Sequence, residues 1–221
     1  MGHRTSTRMH VSSGSVELDT FLEGGYAKRK LSLIYGPAAT GKTTLALMAA
    51  LEQAKTTKVF FLDTEGGFSV ERVKQIVGDE TTFLLENIFV MRIKSFDEQE
   101  EAIRSLNKLI GSVNGNLVIV DTLGVHYRKE LPEEPFKLIN ARLQKMLDEL
   151  ERISRHYNVA VLINNQVYHD FEGNVRMVGG EIVKSRVDKI IELVKNHERY
   201  ALLNDKKFTF EIYDKGIRKT N

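Results

Sequence analysis

The chain has 221 residues, with 32 Lys and Arg against 30 Asp and Glu, a formal charge of +2 at pH 7. That balance gives no electrostatic support for tight nonspecific binding to DNA, and the length suits one α/β domain with an ample core. There is no cysteine, which excludes disulfides and thiolate metal sites and fits a cytoplasmic setting. Residues 1–10, MGHRTSTRMH, are basic but lack the apolar stretch of a signal peptide; they are expected to form a flexible arm before a single core domain spanning 11–221. Apolar and β-branched runs predict strands at 31–35, 58–63, 88–93, 117–121 and 159–164. Helical patterns fall between them at 42–54, 69–77, 96–111 and 136–156, the third with Phe96, Ile103, Leu106 and Ile110 on one side. Repeated strand–helix units predict a mostly parallel central sheet with helices on both faces. After residue 186, the runs DKIIELVKN, RYALLN and KFTFEIYDKG predict short strands that extend the sheet in antiparallel fashion. Residues 124–135 (GVHYRKELPEEP) and 168–180 (YHDFEGNVRMVGG) read as polar loops. Every apolar run is far too short to cross a bilayer, so no membrane association is expected.

The first strand runs into Gly36-Pro37-Ala38-Ala39-Thr40-Gly41-Lys42-Thr43-Thr44 and then a helix. This is the spacing of a P-loop, a turn whose backbone N–H groups cradle a polyphosphate at the positive end of a helix. Lys42, read as an exposed loop lysine, would neutralise the terminal phosphates of ATP, and Thr43 would place a hydroxyl on Mg²⁺. LVIVD at 117–121 ends a buried strand in Asp121, on the edge where parallel sheets bind ligands, so Asp121 is the second Mg²⁺ candidate; an ordinary turn or cap is the competing use. Glu65, just past the second strand in VFFLDTEGGF, could polarise the water that attacks the γ-phosphate or simply satisfy amides of a Gly-Gly turn. Gln166, after the strand ending LINNQV, could hydrogen-bond the γ-phosphate; by residue type alone an ordinary polar loop residue is the better reading.

Taken in order, these segments resemble the RecA superfamily, and within it the archaeal RadA/RadB recombinase group. The resemblance starts at GSVELDTFLEGG (14–25) and runs through GPAATGKTT, DTEGGF with ERV, LVIVDT with GVHYR, INNQV and VGGEI to FEIYDKGI (210–217), nearly the whole chain. It implies a RecA-like ATPase core, with Glu65 as the catalytic glutamate, Gln166 as the γ-phosphate sensor and Arg72 against the adenine ring. It also implies two DNA-facing loops, after Asp121 and after Gln166, with Arg128 and Arg176 as their basic residues and Tyr127, Tyr168 and Phe171 as stacking candidates whose alternative is routine packing. Full-length RadA-type recombinases carry an N-terminal helical domain and a phenylalanine-containing polymerisation motif, whereas only a short arm precedes Val11 here. The expected activity is therefore that of a core-only RadB-like paralog: a weak Mg²⁺-dependent ATPase that binds single-stranded DNA weakly and assists a RadA-type recombinase. Such proteins often form homo-oligomers and complete the site across a subunit interface, where residues 204–207 lie in the family's cap. The alternative is a nucleotide-gated interaction module, similar to clock or archaellum ATPases, with no DNA role. A small-substrate kinase lacks a lid segment in this sequence.

Overall fold

A computed structural model describes residues 9–170 and 172–220. The chain opens with β1 (His10–Val11), α1 (Val16–Phe21) and β2 (Tyr26–Ala27), in which the two strands pair antiparallel around the helix. His10, expected in the arm, thus pairs with Ala27; residues 1–8 lie outside the described residues. Next come β3 (Leu31–Tyr35), α2 (Lys42–Ala54), β4 (Lys58–Asp63), α3 (Val70–Val77), α4 (Thr81–Leu85) and β5 (Ile88–Arg92). The middle of the chain supplies α5 (Phe96–Ser112), β6 (Gly115–Asp121), α6 (Gly124–Glu130), α7 (Phe136–Tyr157) and β7 (Ala160–Asn165). The remainder comprises β8 (Val167–His169), β9 (Val175–Met177), α8 (Gly180–Lys184), β10 (Lys189–Lys195), β11 (Arg199–Leu203), β12 (Lys206–Tyr213) and β13 (Gly216–Lys219).

Nine strands form one sheet in the order β13-β12-β11-β10-β3-β7-β6-β4-β5. From β10 to β5 every neighbour is parallel; from β10 to β13 every pair is antiparallel. The expected antiparallel extension is present, but it begins one strand later than the sequence suggests, because β10 itself runs parallel to β3. Strand alternation sorts the core into two layers. Ile34, Phe61, Ile119 and Leu162 face α1 to α4, while Leu33, Leu62, Val120 and Ile163 face α5 to α8. Ser15, Ser69 and Ser95 start α1, α3 and α5 by accepting the N–H of the residue three positions on, satisfying donors that a helix start otherwise leaves open.

Two segments read as loops are ordered elements. Residues 124–130 form α6, which no side chain caps; buried His126 instead anchors it by donating to the Ile93 carbonyl at 3.1 Å, and Pro132 and Pro135 follow its end. Val167–His169 and Val175–Met177 pair as the β8–β9 hairpin, and Asp170 accepts the N–H groups of Glu172 and Asn174 between them. Phe171 lies outside the described residues. Among the described residues, no helix is long and apolar enough to cross a membrane.

Candidate functional site

The carboxyl ends of β3, β4, β6 and β7 converge, as parallel pairing in register requires: Asp63 lies opposite Asp121, and Asp121 opposite Asn164. A cavity of about 430 Å³ opens there. It is lined by Ala38, Ala39, Gly41, Lys42, Thr43 and Thr44, together with Glu65, Thr122, Gln166 and Ile212. The turn from β3 into α2 depends on two glycines. At Gly36 a Cβ would sit 2.3 Å from the Leu193 carbonyl oxygen, and Gly41 has φ +114° with Ile212 packed against it. The sheet therefore packs directly against the loop at both glycines, and Ile212 lines the cavity as well.

Lys42 is buried, not an exposed loop lysine as the sequence suggests. Its ammonium donates to the carbonyls of Gly36 at 2.8 Å and Pro37 at 2.7 Å. Burial lowers its pKa, and the nearby carboxylates of Asp121 and Glu65 oppose that shift. Asp121 is only 2% exposed. Its Oδ1 accepts from Asn164 at 3.0 Å, while Oδ2 is buried without a hydrogen-bond partner. Burial raises its pKa; Asn164 and the adjoining Thr43 pull the other way, and Glu65 and Asp63 add to the rise.

An orphaned, buried carboxylate oxygen beside a threonine hydroxyl fits a hard divalent cation, which would supply the missing partner and offset the crowding of negative charge. Both groups face the same gap: a Cβ placed on Gly67 would lie 3.4 Å from Thr43 Oγ1 and 3.6 Å from Asp121 Oδ2. Among the described residues there is no cluster of three or more His, Cys, Asp or Glu ligands. A Mg²⁺ held by one hydroxyl, one carboxylate, water and phosphates needs none.

Glu65 and Gln166, from different strand ends, meet directly: Gln166 Nε2 donates to Glu65 Oε1 at 2.5 Å. The turn carrying Glu65 is shaped by a residue that the motifs alone do not single out. Asp63 is buried, accepts the N–H groups of Gly67 and Phe68, and pairs with Arg92 at 2.6 Å. Its place as the last residue of KVFFLD, matching Asp121 at the end of LVIVD, is the signal that could have found it. Thr64 also ties β4 to β6, donating to the Thr122 carbonyl at 2.9 Å and accepting the Thr122 N–H at 2.7 Å. Gly36, Pro37 and Thr40 belong to the loop but do not line the cavity; Thr40 is buried and donates to the Pro37 carbonyl. Arg72 does not line it either. Its guanidinium donates to the carbonyls of Tyr213 and Asp214 in the β12–β13 turn.

Arg128 and Arg176 both border a second cavity, of about 670 Å³, that reaches Tyr35 at the end of β3 and Val167 just past β7. Arg128 is exposed and lies over the Tyr168 ring, 5.5 Å from its centroid. Arg176 is engaged by Asp170 at 3.0 Å, and Glu181 and Glu192 also line the cavity. Tyr127 is a packing residue: buried, edge-on to Phe96, with its hydroxyl donating to Asn140. In the β11–β12 turn region, Lys206 pairs with Glu23, and Lys207 pairs with Glu198.

The Rad51 family profile matches residues 4–217. The chain is 39% identical over 220 residues to the DNA repair and recombination protein RadB of Archaeoglobus fulgidus, covering 95% of this chain and 98% of that one. It is 36% identical over 215 residues to the RadB of Methanosphaera stadtmanae, covering 90% and 92% respectively. To that of Thermococcus kodakarensis it is 37% identical over 221 residues, covering 94% and 98%.

Proposed function

The chain belongs to the Rad51 family as a RadB-like recombinase paralog, and from that premise we propose that it is a slow ATPase that contacts single-stranded DNA and assists a RadA-type recombinase. The observation that supports the nucleotide reading best is the gathering of Lys42, Thr43, Glu65 and Gln166 around one cavity, with Asp121 buried behind it.

In this reading the loop amides of residues 36–44 bind the phosphates, and the Lys42 ammonium exchanges loop carbonyls for phosphate oxygens. Thr43 and Asp121 would hold Mg²⁺, which when bound would neutralise charge developing on the phosphates. Glu65 accepts a proton from the attacking water. Gln166 divides its amide between Glu65 and the γ-phosphate, so the nucleotide state alters the start of the adjoining β8–β9 hairpin. Arg72, fixed to the β12–β13 turn, would flank the base.

Arg128 and Arg176 are the proposed phosphate contacts for a single strand. Their cavity also favours a second reading. With Arg176 already paired and two glutamates in the lining, the surface resembles a docking site for protein as much as one for nucleic acid. ATPase measurement with and without single-stranded DNA, at several protein concentrations, separates the two. Stimulation by DNA supports the recombination role, and its absence together with no single-strand binding at low salt favours a nucleotide-gated interaction module. Dependence on protein concentration would mark a homo-oligomer with a shared site.

A further inference from the structure

Arg199 lies at the start of β11, outside the nucleotide cavity. Its guanidinium reaches back across the sheet and Nη2 donates to the Ala39 carbonyl at 3.3 Å. Nε is buried without a partner among the described residues.

Ala39 is one of five non-glycine residues with positive φ among the described residues, at +59°. That conformation is disfavoured for an L side chain and persists where surroundings hold it. The Ala39–Thr40 peptide is trans, so its C=O and N–H point in opposite directions. A carbonyl drawn toward Arg199 therefore turns the Thr40 N–H away from β11. Its neighbours Ala39 and Gly41 line the nucleotide cavity.

Two further contacts come from the same part of the sheet. The Leu193 carbonyl leaves no room for a Cβ at Gly36, and Ile212 packs on Gly41. These contacts are steric and undirected. The Arg199 hydrogen bond is the polar one, and it can select which way a peptide plane faces.

We infer that Arg199 is a positioning residue for polyphosphate: by holding the Ala39 carbonyl it fixes the peptide plane of a loop residue that itself lines the nucleotide cavity, and so presets the loop for phosphate. This rests on the nucleotide reading above. Arg199 touches no phosphate itself and acts through the loop.

The test compares Arg199→Met, which keeps the packing of the stem but no donor, with Arg199→Lys, which keeps a charged donor. Arg199→Ala serves as a second deletion should the methionine variant fail to fold. Each is titrated with Mg²⁺ and ATP, with tripolyphosphate and with adenosine, by competition against a fluorescent ATP analogue, and thermal midpoints are recorded without nucleotide. Loss of the donor should weaken ATP and tripolyphosphate binding about fivefold to tenfold, the scale of one net hydrogen bond, and leave adenosine unchanged. Arg199→Lys should recover most of that loss. Equal losses for adenosine and tripolyphosphate, no rescue by lysine, or unchanged ATP affinity in the methionine variant would each overturn the inference. Failure of the unsubstituted protein to bind ATP would instead overturn the nucleotide reading beneath it.

Discussion

Asp121 offers a test in which stability and metal dependence move in opposite directions. Asp121→Asn is isosteric, and its carbonyl oxygen can still accept from Asn164. What it removes is a charge whose Oδ2 is buried with no partner, and the amide nitrogen that takes that place can donate to the adjoining Thr43 hydroxyl. Leaving such an acceptor unsatisfied costs about 1–3 kcal/mol, and for a chain of this size 1 kcal/mol moves the midpoint by about 2–4 °C. Without nucleotide or Mg²⁺, the variant should therefore melt about 2–12 °C higher at neutral pH. The sign follows from the raised pKa: the folded chain holds this proton more tightly than the unfolded chain. Stability is consequently lost as pH rises from 3.8 through the folded value, and the advantage of asparagine should shrink as pH falls toward 3.8. Adding Mg²⁺ and a non-hydrolysable ATP analogue at about 100 times its Kd should stabilise the original protein by about 2.7 kcal/mol. In the variant the Mg²⁺-dependent part of that gain should disappear. Thermal scans with EDTA and with Mg²⁺ read both effects. A variant that melts lower in EDTA and keeps its Mg²⁺ response would refute the assignment of Asp121 to the metal.

Lys42→Ala should reduce ATP affinity about tenfold or more, the scale of a charged hydrogen bond to phosphate, as read by calorimetry. Because Lys42 is buried and satisfies two loop carbonyls, the variant's thermal midpoint must be measured alongside, and unchanged ATP affinity would reject the role. Glu65→Gln keeps an acceptor for the Gln166 amide but removes the base, so ATP should still bind while turnover falls about 10²–10⁴-fold. Equal loss of binding and turnover would reduce Glu65 to a turn residue. The double change Arg128→Ala, Arg176→Ala should flatten the salt dependence of single-strand binding, by a slope of about 0.7 for each phosphate no longer neutralised, and leave ATP affinity intact. An unaltered slope would remove both residues from the nucleic-acid surface.

The core was readable because its strands are unbroken apolar runs. The starts of the predicted runs 31–35, 58–63 and 88–93 coincide with those of β3, β4 and β5, and the long helices agree within a residue or so. Burial on both faces of a parallel sheet leaves such segments little choice of identity. The residues at the strand ends were legible for the same reason, since register alone brings Asp121 beside Asp63 and Asn164. What escaped depends on interactions between distant residues. α6 has no capping side chain and is held through His126 and Ile93, 33 positions apart. The β8–β9 hairpin has strands of three residues each, too short for alternation to register. The burial of Lys42 and the reach of Arg199 to Ala39 follow from how β10 to β12 pack on the loop, which no local pattern encodes.

The last two residues of β7 and the one that follows have separate employers. Asn164 holds the carboxylate of Asp121, Asn165 donates to the Val178 carbonyl beyond the hairpin, and Gln166 grips Glu65. Successive side chains of a strand project to opposite sides, so these three positions cannot be interchanged by sliding. A step of one residue is about 3.3 Å and would strip all three partners at once. The tip of β7 thus works like a three-toothed key. A single residue inserted between 163 and 164 should uncouple Asp121, Val178 and Glu65 together while leaving the sheet behind it intact.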